Sequence, residues 1–141
     1  MQKLLGGSED YAARQHLLAL YNSQNQSDRF LRLARDSMMQ YPQDMLFKNE
    51  YARSLFQSAA YRAVIQLFAT EKSLDANQQA LLAASYQRLE QHQSAIRHYQ
   101  LALELDASNA KNWIGLGISL EQAAAFEDAL NSYQQAAKLG N

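Results

Sequence analysis

Two stretches of this chain superpose on one another at an offset of 34 residues. Leu82-Ala83-Ala84-Ser85-Tyr86, Ala95-Ile96, Tyr99 and Ala102 fall against Leu116-Gly117-Ile118-Ser119-Leu120, Ala129-Leu130, Tyr133 and Ala136, with large residues meeting large and small meeting small. A fixed period of this length is the mark of a helical repeat array. Such arrays stack one supersecondary unit on the next and expose a shaped surface for a partner instead of building an enclosed catalytic pocket.

The composition favours helix throughout. In 141 residues there are one proline and five glycines, and hydrophobic residues make up 48% against 19% charged. A chain with so few helix breakers and this apolar fraction is expected to be folded and helical. Thirteen Lys and Arg against fourteen Asp and Glu leave a net charge of -1, so the electrostatic footprint of a nucleic-acid binder is missing and no nucleic-acid partner is expected. No apolar run reaches the ~18 residues needed to span a bilayer. Direct membrane insertion of this segment is therefore not expected. The sequence has no cysteine, which excludes disulfides, thiolate metal sites and cysteine nucleophiles.

Carried along the chain, the offset gives four units at residues 11–44, 45–75, 76–109 and 110–141, preceded by an extension or linker at 1–10. The second unit is three residues short, at Thr70-Glu71-Lys72-Ser73. Apolar residues recur three or four apart within each unit, with a polar break in the middle, which predicts two amphipathic helices apiece. The eight helices are expected near 9–24, 27–41, 44–58, 60–70, 76–90, 93–106, 109–123 and 126–139. Ser8, Ser27, Asp44, Asp75 and Ser108 or Asn109 are the expected caps, with Asp75 and Gln78 at capping-box spacing. Pro42 should end the first unit and Gly140 should terminate the last helix in a left-handed conformation.

Small residues at matching places explain how such units stack. Ala52, Ala83 and Gly117 occupy one position of the first helices, and Ala95 and Ala129 one position of the second helices. They let backbones approach, while Tyr21, Leu55, Tyr86 and Leu120 fill the adjoining gap and Phe68, Tyr99 and Tyr133 cover the next unit.

At these residues the chain resembles the tetratricopeptide repeat family. The last unit carries the pattern best, with Trp113, Leu116, Gly117, Leu120, Ala129, Tyr133 and Ala136, and the third repeats it with Leu82, Ala83, Tyr86, Ala95, Tyr99 and Ala102. The second departs from it, with Tyr51-Ala52, Leu55, Val64 and Phe68, and the first is weaker still, with Leu17-Leu18, Tyr21, Phe30 and Ala34. The resemblance implies an all-α fold, a right-handed alpha-alpha superhelix of four hairpins, acting as a protein-protein interaction scaffold.

A narrower resemblance rests on Asn112-Trp113-Ile114-Gly115-Leu116-Gly117-Ile118-Ser119-Leu120-Glu121 and on Lys138-Leu139-Gly140-Asn141. These strings look like the C-terminal repeats of MshN-type proteins, from the biogenesis systems of mannose-sensitive haemagglutinin (MSHA) pili, a type IV class. That likeness implies a periplasmic domain of an inner-membrane-anchored protein, with pilus-assembly components as partners. Without it, a cytoplasmic location is the expectation.

In tetratricopeptide arrays the first helices line the concave surface. Transferred here, those positions give Asn49, Arg53, Phe56 and Gln57 from the second unit, Gln87 and Arg88 from the third, and Lys111, Ile114 and Ile118 from the fourth. Ala12, Gln15, Ala19, Asn22 and Ser23 are their counterparts in the first. Amides can pair with a peptide backbone and the apolar residues can take its side chains, although any solvated helix face is polar. Ala19, Glu50, Ala80 and Ala84 stand where chaperone-binding members hold a carboxylate clamp, so cytosolic chaperone docking is disfavoured.

Catalysis and metal binding find no constellation, and neither an enzyme nor a cofactor is expected. His16, His92 and His98 are placed in three different helices or turns, none paired at i, i+4. Glu9-Asp10 and Glu127-Asp128 fall in first helical turns, where carboxylates complement the helix dipole. Gly115 and Gly117 lie inside a helix pattern, not after a strand, and Trp113 is expected in a core or hairpin role. The alternative to a groove binder is a self-associating structural module, since no further polar helix follows to cover Leu130 and Tyr133.

Overall fold

Helix starts in this chain are set by two different devices, and they alternate. The computed structural model describes residues 7–140, which form α1 (Gly7–Ser23), α2 (Ser27–Gln40), α3 (Met45–Gln57), α4 (Tyr61–Phe68), α5 (Ala76–Arg88), α6 (His92–Leu105), α7 (Ala110–Gln122) and α8 (Phe126–Leu139). Side-chain caps open three of the first helices: Asp44 accepts from the Leu46 amide at 2.8 Å, Asn109 from the Lys111 amide at 3.0 Å, and Asp75 forms a reciprocal capping box with Gln78. The second helices have no side-chain cap. Each instead follows a residue with positive φ: Asn25, Ala59, Glu90 and Ala124, spaced by 34, 31 and 34 residues.

Asn25, Glu90 and Ala124 close Schellman turns. The amides of Gln26, Gln91 and Ala125 reach back to the carbonyls of Tyr21, Tyr86 and Leu120 at 2.9, 2.9 and 2.8 Å, so the last carbonyls of the preceding helix are satisfied. Three cap expectations are corrected by this geometry. Ser8 lies inside α1, Ser27 is the first helical residue of α2 instead of its cap, and Gly140 has φ -78, so no left-handed terminator forms there. The expected extension at 1–10 lies partly outside the described residues, and Gly7 to Asp10 belong to α1.

A left-handed alanine costs roughly 1–2 kcal/mol against its right-handed form, whereas glycine loses about 0.4–1 kcal/mol more in unfolded-chain entropy. Ala124→Gly is therefore expected to stabilise the protein by about 0.5–1 kcal/mol. Chemical denaturation checks this, and a destabilised variant would contradict it.

The chain divides after Ser58 into two compact units, Met1–Ser58 and Ala59–Asn141. The second repeat is thus shared between them, with α3 in the first and α4 in the second. In unit 1 the core is Leu18, Phe30, Ala34 and Phe47, surrounded by Tyr11, Tyr21, Tyr41 and Tyr51. Tyr11 meets Tyr41 edge-on at 5.4 Å and Phe47 at 4.9 Å, tying α1, α2 and α3 together. Beside these rings Arg14 is 7% exposed, a feature absent from the sequence expectations. It donates to Asp10 at 2.9 Å, Asp36 at 2.7 Å and the Ser37 hydroxyl at 3.1 Å, while the Tyr41 hydroxyl donates to Asp10 at 2.7 Å. A buried guanidinium is tolerated because each of these groups compensates it.

Unit 2 packs its helices in sequence around Ala83, Ala95, Tyr99, Leu103, Leu116, Leu120 and Ala129. Two glycines of α7 make room for tyrosine rings. A Cβ on Gly115 would lie 2.6 Å from Cε1 and Oη of Tyr99, and one on Gly117 would lie 2.5 Å from Cε1 of Tyr133. Tyr99 therefore covers the next repeat as expected, but Tyr133 lies against its own hairpin. Burial pushes the Tyr99 phenol up to about 12. Of the expected core or hairpin role, Trp113 takes the first: it packs against this core and donates its indole N–H to the Ala107 carbonyl, in the link before α7, at 2.9 Å.

Candidate peptide-binding surface

The residues transferred to the concave surface divide between the units, and their environments differ. In unit 1, α3 presents Asn49, Arg53, Phe56 and Gln57. Arg53 stands one turn after Glu50 and pairs with it, keeping its own side chain 58% exposed. Gln57 is exposed, and Phe56 and Asn49 are half-buried. On α1, Ala12, Gln15, Ala19, Asn22 and Ser23 are exposed, as the transfer requires. Asn22, Arg53 and Gln57 converge with Tyr21, Asn25, Gln26 and Ser54 on a polar cavity of about 190 Å³ at the end of α1.

In unit 2 the five positions do three different jobs. Gln87 holds helices together: its amide nitrogen donates across to α7, to the Gly115 carbonyl at 2.9 Å and the Ser119 hydroxyl at 2.8 Å. Arg88 donates to the Tyr61 hydroxyl at 3.1 Å and lies 5.8 Å over that ring, which fixes it on α4. Lys111 is exposed, and on the same helix Ile114 and Ile118 are 44% and 40% exposed. One helical turn separates these two, so they form a continuous apolar strip. Just beyond it Glu121 accepts the Tyr133 hydroxyl at 2.8 Å; burial first, and this bond second, raise the Tyr133 pKa.

Unit 2 also holds a cavity of about 550 Å³ that the repeat pattern did not indicate, between α6, α7 and α8. Leu103, Trp113, Leu116 and Leu120 supply apolar lining, with Asp128 and Ser132 beside them. The one signal for it was Trp113. Its indole turns out to be committed to Ala107.

The histidines are not assembled into a site. His92 opens α6, so it shares that helix with His98 instead of standing in a turn, but six residues separate the two. The His98 Nδ1 lies 2.8 Å from the Gln79 amide oxygen and its ring stacks on Tyr86 at 5.4 Å. Burial, then the neighbouring Arg97, lowers its pKa. Among the described residues no group of three or more His, Asp or Glu could hold a metal ion. No helix among them is long and apolar enough to cross a membrane.

Alternating capped and Schellman-initiated helices, with small residues at the close approaches, make an all-α repeat fold of the tetratricopeptide type. Among solved structures the chain is similar to MamA MSR-1, with a TM-score of 0.79 and 21% identity over 99% of this chain and 82% of that one. MamA AMB-1 gives a TM-score of 0.77 and 21% identity over 90% and 77% of the two chains. MamA 41-end from Desulfovibrio magneticus RS-1 gives 0.78 and 17% over 90% and 73%. These likenesses show the fold. No family model matches the sequence, and no curated protein matches it.

Proposed function

We propose that this chain is a protein-interaction scaffold whose first-helix surfaces hold a partner protein or peptide. The observation that carries this reading is the exposed strip of Ile114 and Ile118 on α7, next to Lys111, in a unit where the other transferred side chains, Gln87 and Arg88, are tied to α7 and α4. Exposed apolar side chains with a polar surround are the composition of a contact patch. In unit 1, Asn49, Arg53, Phe56 and Gln57 are the corresponding contact residues.

The partners we propose are components of MSHA pilus assembly, met in the periplasm by the soluble part of an inner-membrane-anchored protein. The support is the likeness of residues 112–121 and 138–141 to MshN-type repeats. Ile114→Ser with Ile118→Ser is expected to weaken capture of pilus-assembly proteins at least tenfold while the helical circular dichroism is unchanged. Capture at wild-type strength would refute the surface, and capture of an unrelated set of proteins would refute the pilus assignment.

One observation favours a second reading, self-association. Phe126 and Leu130, one turn apart on α8, are 66% and 59% exposed. Sedimentation over a concentration range decides it, because a species that stays monomeric throughout excludes a second copy on this face.

A further inference from the structure

We infer that the polar cavity of unit 1 is a pocket for a single primary carboxamide, the side chain of a glutamine or asparagine in a bound segment. The argument compares one repeat position in the two units. Gln87 in α5 has its counterpart at Phe56 in α3 and at Asn22 in α1, and Ser119 in α7 has its counterparts at Ser85 and Ser54. In unit 2 the carboxamide of Gln87 fills the gap between consecutive first helices, bonding the Ser119 hydroxyl and the Gly115 carbonyl at 2.8 and 2.9 Å. In unit 1 the same gap lies between Asn22 and Ser54. Asparagine is one methylene shorter, and among the described residues no bond forms between the two side chains. What remains is the cavity of about 190 Å³ lined by both.

The lining specifies the occupant. Ser54 is 4% exposed and faces the cavity, offering the same hydroxyl that accepts from the Gln87 amide in unit 2. A group reproducing that bond must donate an N–H. Arg53, Asn22 and Gln57 line the same space and donate from their guanidinium and amide nitrogens, so the group must also accept. A primary carboxamide does both. A carboxylate could accept from the Ser54 hydroxyl, but it has no N–H for the acceptor oxygens of Asn22 and Gln57, and the Arg53 charge that would favour it is already paired with Glu50. An apolar side chain would leave the lining polar groups unsatisfied. This deepens the peptide-binding reading by naming a residue class the bound segment carries.

The test uses the 15N-labelled chain and three small probes: N-acetyl-glutamine N-methylamide and its glutamate and leucine analogues. The glutamine probe is expected to give saturable shifts at Asn22, Arg53, Ser54 and Gln57, and the other two to bind at least fivefold more weakly. Asn22→Gln restores the missing methylene, so it should raise the thermal midpoint and weaken the probe at least tenfold. Ser54→Ala should weaken it about fivefold. Absence of saturable shifts, equal or tighter binding of the glutamate probe, or unchanged binding by Asn22→Gln would each overturn the pocket. These readouts need no natural partner, so a failed capture of pilus proteins leaves them intact and a failed titration leaves the Ile114 and Ile118 surface intact.

Discussion

Gly115→Val is expected to destabilise unit 2 by about 3 kcal/mol, seen as a lower urea midpoint. The residue sits in the middle of α7 with its Cα facing the Tyr99 ring, where an added Cβ would overlap Cε1 and Oη at 2.6 Å. Tyr99 is 5% exposed and packed in the unit 2 core with Leu103, Leu116 and Leu120, so the ring has nowhere to retreat. Helix propensity works the other way, since glycine is about 1 kcal/mol worse than alanine in a helix interior, but valine recovers only part of this because its branched side chain is stiff. Overpacking wins. Gly117→Val provides the contrast: Tyr133 is only half-buried and its hydroxyl is held by Glu121 near the surface, so the ring can swing outward and the cost should be about 1 kcal/mol. Tyr99→Leu added to Gly115→Val should recover part of the loss. Equal costs at the two glycines would show that ring burial does not set the penalty.

Arg14→Met should weaken unit 1 by about 2–3 kcal/mol. Removing one partner of a buried ion pair ordinarily costs more, but the Asp36 side chain is 56% exposed and can be rehydrated, whereas that of Asp10 is 21% exposed and keeps the Tyr41 hydroxyl. Burial by itself would lower the Arg14 pKa, and hydrogen bonds to Asp36 and then Asp10 reverse that into an increase. The same network acts on pH dependence. The Tyr41 hydroxyl, and after it Arg14, hold the Asp10 carboxyl below its ordinary value. Asp10 therefore adds stability that is present above the unfolded carboxylate pKa of about 4 and is lost as pH falls through the lower folded value. Denaturation between pH 2 and 6 should show a shallower acid dependence in Arg14→Met than in the parent chain. An identical pH slope in both would remove Arg14 from this linkage.

The regular parts of the fold were legible because repetition made them so. Asp44 and Asp75 could be identified as caps, and Ser108 or Asn109 as the pair holding the next, because each precedes an apolar period, and Gly117 and Ala83 align only if a close approach recurs. The turns inside the hairpins were not legible: Ala59, Glu90 and Ala124 are poor left-handed residues, and at Glu90 and Ala124 it is Schellman bonds that hold the conformation. Arg14 was missed for a different reason. Its i, i+4 spacing to Asp10 looks like a surface pair, and its burial depends on Asp36, Ser37 and Tyr41 from another helix. Among the surface residues, the transfer from first-helix position identified exposure well at Arg53, Lys111, Ile114 and Ile118. It could not tell that Gln87 bonds the next first helix, because a glutamine one helix away from an accepting serine looks the same as one facing water.

The Gln87 strut and the Gly115 vacancy together restrict how such a chain can lengthen. Duplicating residues 76–109 would keep the strut, since each copy's Gln87 would meet the next copy's Ser85, but would set Tyr99 against Leu81 where Gly115 now stands. Repeating α7 at the same 34-residue offset would keep the vacancy for an aromatic ring and replace the strut with Glu121. Neither block can be copied beside itself without breaking one of the two contacts, so recombination that adds whole repeats is penalised at this junction. A unit added there would need a glycine at the Gly115 position and a glutamine at the Gln87 position in one and the same helix.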